Sequence, residues 1–196
     1  MKPKPFLLHL FICVCLLFSA HSAFSQLRIT TNNVANQLAH KLVGEGVVIS
    51  NATITSNPIA TGFFKNTGGT SLGMDSGIVL TNGRAKTIGS AAGAIGLDWT
   101  GTTPADARLA STSLNLPGDA DLANEIHAPL ADVNDAIALQ FDFVPLGDSI
   151  SFNYVLSSEE YDPQYVCVFN DAFAFFISGP GITGMKNIAL VPGTSM

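Results

Sequence analysis

Hydrophobic and polar positions alternate most regularly between residues 137 and 182. Ile137, Leu139, Phe141 and Phe143 are separated by Ala138, Gln140 and Asp142. After Leu146-Gly147-Asp148 the same period returns in Ile150, Phe152, Tyr154 and Leu156. A period of two is that of a half-buried strand, so the pattern predicts two strands joined by a short turn. A third run, residues 172–178, sets Phe173, Phe175 and Ile177 on one face and stops at Gly179-Pro180-Gly181. Three aromatic-rich strands make a sheet that needs a second layer. The polar segment 157–171 between the second and third strands carries most of the local acid, so chemistry is sought there first.

Upstream, Asn32 or Asn33 is placed to cap a short helix with Val34, Ala35, Leu38 and Leu42 on one face and Gly44 as its stop. Residues 47–54 read as a strand with Val47, Ile49 and Ile54 inward. Ile78-Val79-Leu80 reads as another, followed by the turn signal Asn82-Gly83. Residues 89–113 shift to Gly, Ala, Thr and Ser around Trp99, the single tryptophan, and predict a long surface loop. Trp99 either pins that loop to the core or lies exposed, where it suits stacking on a sugar ring. In Pro117-Gly118-Asp119-Ala120-Asp121-Leu122, Asp119 is placed to cap a brief helix with Leu122 and Ile126 inward, ended by Pro129. The expected fold class is therefore all-β, a jelly-roll-like β-sandwich with one or two short helices.

Residues 1–25 read as a secretory signal: Lys2 and Lys4 precede an apolar stretch from Phe6 to Phe18, and Ala23-Phe24-Ser25 forms a cleavage site before Gln26. The apolar run is shorter than the ~20 residues that span a bilayer, so no stable membrane span is expected in the mature chain. Removing Lys2 and Lys4 from the 9 basic residues leaves 7 against 15 acidic ones, a formal charge near −8. That balance makes nucleic acid a poor partner. Of the three cysteines only Cys167 remains after cleavage, which excludes an intramolecular disulfide and a cysteine zinc site. Its apolar neighbours favour a buried, inert thiol over a reactive one. The remaining chain, residues 26–196, is long enough for one domain with its own core.

Six stretches taken together resemble a known family: LVGEGVVISNATIT (42–55), SGIVLTNG (76–83), PGDADL (117–122), FDFVPLGDSISFNYVLSSEEY (141–161), FNDAFAFFISGPGI (169–182) and NIALVPGT (187–194). Their order and content are similar to the choice-of-anchor L domain of secreted Gram-negative surface proteins. The resemblance implies an extracellular β-rich module within a longer surface protein. It implies no catalytic residues, and it implies that the domain continues with further strands beyond Val191-Pro192-Gly193-Thr194-Ser195-Met196. Residues 26–196 are on that ground expected to be an incomplete, aggregation-prone sandwich.

The acidic segments admit two chemistries. Glu159 and Glu160 invite a hydrolase reading, since a pair of carboxylates cleaves glycosides, with Asp142, Asp162 or Asp171 as possible partners. Adjacent residues on an extended chain point to opposite faces, however, so these two glutamates do not flank one bond. Ser157 and Ser158 lack a nucleophile elbow, and His40 and His127 lie in helical stretches away from them. Calcium is the alternative, because hard cations take carboxylate and carbonyl oxygens from loops. Asp119, Asp121, Glu159, Glu160, Asn170 and Asp171 are the candidate ligands. The opposing reading makes Asp119 a cap, Asp171 a turn residue and the glutamates a solvated rim. The sequence thus points to a secreted or cell-surface, non-catalytic module for adhesion or ligand binding, with a glycan or a surface protein as partner. A secreted hydrolase domain using Glu159 or Glu160 is the second reading. Asn51-Ala52-Thr53 also fits an N-glycosylation acceptor, a pattern common by chance.

Overall fold

A computed structural model describes residues 26–68, 72–88, 97, 112–161 and 170–189. The signal segment 1–25, Trp99, Asp162, Cys167 and the final residues 191–196 lie outside the described residues, as does most of the 89–113 loop.

The described chain is an all-β body of antiparallel sheets with two short helices. β1 (Gln26–Thr31), β3 (Thr61–Gly68) and β4 (Ser76–Leu80) form one sheet in the order β1-β3-β4. β2 (Val47–Thr55) pairs with β5 (Ala138–Pro145) in a second. β6 (Phe176–Ile177) and β7 (Lys186–Asn187) form a third, minimal one. Helix α1 (Ala35–Val43) packs against β2, β4 and β5 and so links the first two sheets. Helix α2 (Ala120–Glu125) follows the long loop.

α1 forms where its apolar spacing predicts, with Leu38 and Ala39 fully buried. Gly44 ends it in the left-handed region (φ 67°), returning its N–H to His40 O. Its start differs from the sequence reading. The residue at the cap is Val34, with no side-chain bond to the helix. Asn32 Oδ1 instead accepts the Val34 N–H at 2.9 Å, one step ahead of the helix, and Asn33 Oδ1 accepts from the Ser56 and Thr61 hydroxyls. Both asparagines are thereby spent on joining the helix entry to the β2–β3 turn. Thr61, fully buried, completes that joint: its hydroxyl donates to Asn32 O at 2.7 Å while its own carbonyl accepts the Asn32 N–H at 3.0 Å.

β5 keeps the expected alternation, with Leu139, Phe141 and Phe143 turned inward and Gln140, Asp142 and Val144 outward. Opposite it, β2 turns Val47, Ile49 and Ile54 inward. A separate buried hydrophobic cluster lies apart from this pair. Ile29, Phe64 and Ala85 form it, with Leu27, Leu72, Met74, Val79 and Leu97 packed around them. Leu97 anchors the long loop there, its N–H donating to Ala85 O at 2.9 Å. β1 and β3 approach so closely that a Cβ on Gly62 would lie 2.3 Å from Thr30 O.

Two strand expectations need correction. Residues 149–158 carry no ladder, and of residues 172–178 only Phe176 and Ile177 are in a strand. The period of two survives in the rings all the same. Phe152 meets Phe175 at 4.6 Å between centroids, and Tyr154 meets Phe173 at 5.4 Å. These pairs step in opposite directions along the two segments, which is antiparallel register held by side chains. One reason the ladder stops is that the Phe175 N–H is taken by the side chain of Asn187 at 3.1 Å.

In α2, Asp119 caps as its position predicts, accepting the Leu122 N–H at 2.9 Å. Ile126 does not turn inward: the helix ends at Glu125, Ile126 falls off its face and is 43% exposed, and Ala123 is the buried residue.

Candidate functional site

Three of the polar stretches that stand out in the sequence converge on one hydrogen-bonded knot. Asn82, just past the end of β4, donates its amide to Asp171 Oδ1 at 2.7 Å. The other oxygen of Asp171 accepts the Ser158 hydroxyl at 2.8 Å, and Ser158 Oγ accepts the Glu160 N–H at 3.1 Å. Asn82 comes from the turn signal after β4, Ser158 and Glu160 from the acidic segment, and Asp171 from the start of the aromatic run. Each lies in a loop or short turn, where side chains bonding to nearby backbone set the chain's path. The knot therefore fixes how residues 158–161, which form a single 3₁₀ turn from Glu159, meet the run that begins at Asp171.

Beside the knot lies an aromatic face. Phe173 contacts Phe175 edge to face at 4.6 Å, and Tyr154 contacts Phe175 in the same manner at 5.2 Å. Edge-to-face pairs are the favoured arrangement of rings, each worth about 0.5–1.5 kcal/mol beyond the area buried. Phe152 and Phe175 are half-buried, whereas Tyr154 is 47% and Phe173 36% exposed. Two supporting rings thus hold two exposed ones.

A second polar joint closes the far side. Asn187 accepts the N–H groups of Phe175 and Ala189 through Oδ1 and donates from Nδ2 to Glu125 Oε1 at 3.2 Å. The C-terminal turn of α2 is thereby tied to β7 and to the aromatic run.

The six candidate metal ligands are distributed over these features. Glu160 and Asp171 meet through Ser158, and Asn170 is exposed next to them. Glu159 opens the adjoining turn. Asp119 and Asp121 sit apart at the start of α2, the first as its cap and the second in its first turn, where an acid favours the helix dipole. Among the described residues no three of His, Cys, Asp or Glu lie close enough to hold a metal ion. Of the carboxylates considered as partners for the glutamates, Asp142 accepts from Asn51 across the β2–β5 pair and Asp171 from Asn82 and Ser158.

No motif or period in the sequence points to Asp135, which is central to the approach to β5. It adopts φ 53°, and its carboxylate accepts the N–H of Leu114 at 3.0 Å and of Leu116 at 2.8 Å. Next to it, Pro117 bridges Asn134, and a Cβ on Gly118 would fall 2.2 Å from Val133 O. No period announces such a residue, because its partners are backbone groups about twenty positions away.

An antiparallel all-β body whose motif side chains knot loops together, with an aromatic face beside them, defines a β-rich module. Its sequence over residues 26–196 matches the choice-of-anchor L domain, and the chain belongs to that family. Membership points to a secreted or surface, non-catalytic module and to one domain of a surface protein. No helix among the described residues is long and apolar enough to cross a membrane. No curated protein and no solved structure matches the chain.

Proposed function

We propose that this chain is a secreted or cell-surface adhesion or ligand-binding module that engages its partner through the aromatic face. The observation that carries this reading is the pair Tyr154 and Phe173, exposed yet held by Phe152 and Phe175. Rings fixed in this way lose little freedom on binding and offer a flat apolar surface, suited to the C–H face of a sugar or to an apolar patch on a surface protein. Beside them the side chains of Asn82, Ser158 and Asp171 are engaged in hydrogen bonds between loops, which supports a framing role for these three groups. Residues 1–25 direct export on this reading, and the mature chain begins at or near Gln26; N-terminal sequencing of the extracellular product checks that start.

A glycan array and a surface-protein overlay, probed with the full chain and with Tyr154→Ala and Phe173→Ala, test the reading. Binding that both variants lose supports it, provided that their melting midpoints stay close to that of the parent. Binding unaffected by either change overturns the assignment of the face. The hydrolase reading is tested on the same oligosaccharides: turnover abolished by Glu159→Gln or Glu160→Gln would replace the binding assignment with a catalytic one.

A further inference from the structure

Asn82 is followed by Gly83, and that dipeptide carries a chemistry that its role in the knot does not use. A side-chain amide can be attacked by the nitrogen of the next residue, and glycine, lacking a side chain, shields that nitrogen least. The Gly83 nitrogen gives up its proton and bonds to Asn82 Cγ, the Cγ–Nδ2 bond breaks, and ammonia leaves. Water then opens the cyclic imide to aspartate or isoaspartate, with no change of oxidation state. Asn82 is exposed, so water reaches it. Two features oppose the attack. Asn82 Nδ2 is held on Asp171 Oδ1 at 2.7 Å, and the N–H of buried Gly83 is turned to Thr81 Oγ1 at 3.3 Å.

We propose that Asn82 is a latent deamidation site restrained by Asp171, and that its conversion unties the knot. The product replaces an N–H donor with a carboxylate facing the Asp171 carboxylate at hydrogen-bond distance. Attraction becomes like-charge repulsion at contact distance, moderated by the water that reaches this exposed pair. The bond lost is the one joining the end of β4 to the loop that carries Ser158 and to the run that carries Phe173. Deamidation therefore acts as a slow, irreversible release of the frame beneath the aromatic face.

The test uses the full chain incubated at mildly alkaline pH, with trypsin releasing the peptide 66–84 between Lys65 and Arg84 for tandem mass spectrometry. The expected result is conversion localised at Asn82, several-fold faster in Asp171→Ala than in the parent and fastest in urea. Equal rates in the folded parent and in Asp171→Ala, or no conversion at Asn82 in the folded chain, would overturn the proposal. Because Asp171→Ala also removes the Ser158 bond, a second comparison isolates the charge effect. Asn82→Asp should lower the melting midpoint, and adding Asp171→Asn should restore most of it by returning an amide to face the new carboxylate. A double variant no more stable than Asn82→Asp alone would equally overturn it.

Discussion

The side-chain amide of Asn51 donates to Asp142 Oδ2 at 2.6 Å across the β2–β5 pair, at the one place where that pair changes register. Ser50 faces Asp142 and Thr53 faces Gln140, so β2 holds one residue more than β5 in this interval, a β-bulge. Asn51 takes the strained conformation there, with φ 52°, which asparagine tolerates better than most residues. The asparagine of the Asn-Ala-Thr triplet thus has a structural occupation.

Asn51→Ala should lower stability by about 1–2 kcal/mol, combining a lost hydrogen bond with about 1 kcal/mol of left-handed strain. Asn51→Gly loses the bond and keeps the conformation, so it should cost less. Urea denaturation of the two variants beside the parent checks the order; a glycine variant weaker than the alanine one would refute the bulge account.

Asp135 supplies a sharper case. Its carboxylate accepts from two backbone N–H groups, and hydrogen bonds to a charged group are worth about 1.5–3 kcal/mol each. Asp135→Ala should cost about 3 kcal/mol or more, and Asp135→Asn about half of that, since one amide oxygen remains to accept. Thermal unfolding followed by circular dichroism measures both. Equal midpoints for the two variants would remove the bidentate role.

These residues show what could and could not be read from the chain. α1, β2, β4, β5 and the Asp119 cap were legible because each rests on local periodicity or on a side chain reaching three residues ahead. β1 and β3 were not, although they carry the core residues Ile29 and Phe64. Their register joins Thr31 to Gly62 and Leu27 to Asn66, long-range pairings that polar positions such as Arg28 and Lys65 conceal. The aromatic stretches were misread in the other direction. Their period was right, but it specifies which rings share a face and not whether backbone groups close a ladder, and Asn187 intercepts one of those groups. Charge marks Asp171 and Glu160 in the sequence, whereas the partners that define the site, Asn82 and Ser158, are uncharged, and Asn82 lies 89 positions from Asp171.

Glycine positions separate close approach from mere flexibility. An alanine Cβ at Gly118 would press on Val133 O and one at Gly62 on Thr30 O, both backbone atoms that cannot swing away. Either substitution should cost about 3 kcal/mol, near the upper end of the usual range for single changes. Gly147, with nothing within 4 Å of a new Cβ, should accept alanine with no measurable loss. Melting midpoints of the three variants check the contrast, and a destabilised Gly147→Ala would show that the turn after β5 is tighter than described.

Asp119 allows the helix-cap and calcium readings of the acidic residues to be separated. Its Oδ1 accepts the Leu122 N–H at 2.9 Å, so Asp119→Ala should cost about 1 kcal/mol through loss of the cap. A cap acts within its own helix, and that loss should be the same in excess calcium and in chelator. An ion bound only by the folded chain would behave differently. It would add stability of RT ln(1 + [L]/Kd), about 2.7 kcal/mol at a hundredfold excess over Kd, and the addition would vanish when a ligand is removed. Asp119→Ser, which keeps a capping oxygen but carries no charge, completes the comparison: it should recover most of the stability in both media. Parallel midpoints for parent, alanine and serine variants with and without calcium are the expected outcome. A calcium-dependent rise in the parent that is absent from both variants would instead make Asp119 a metal ligand and join the start of α2 to the acidic loop around Glu160 and Asp171.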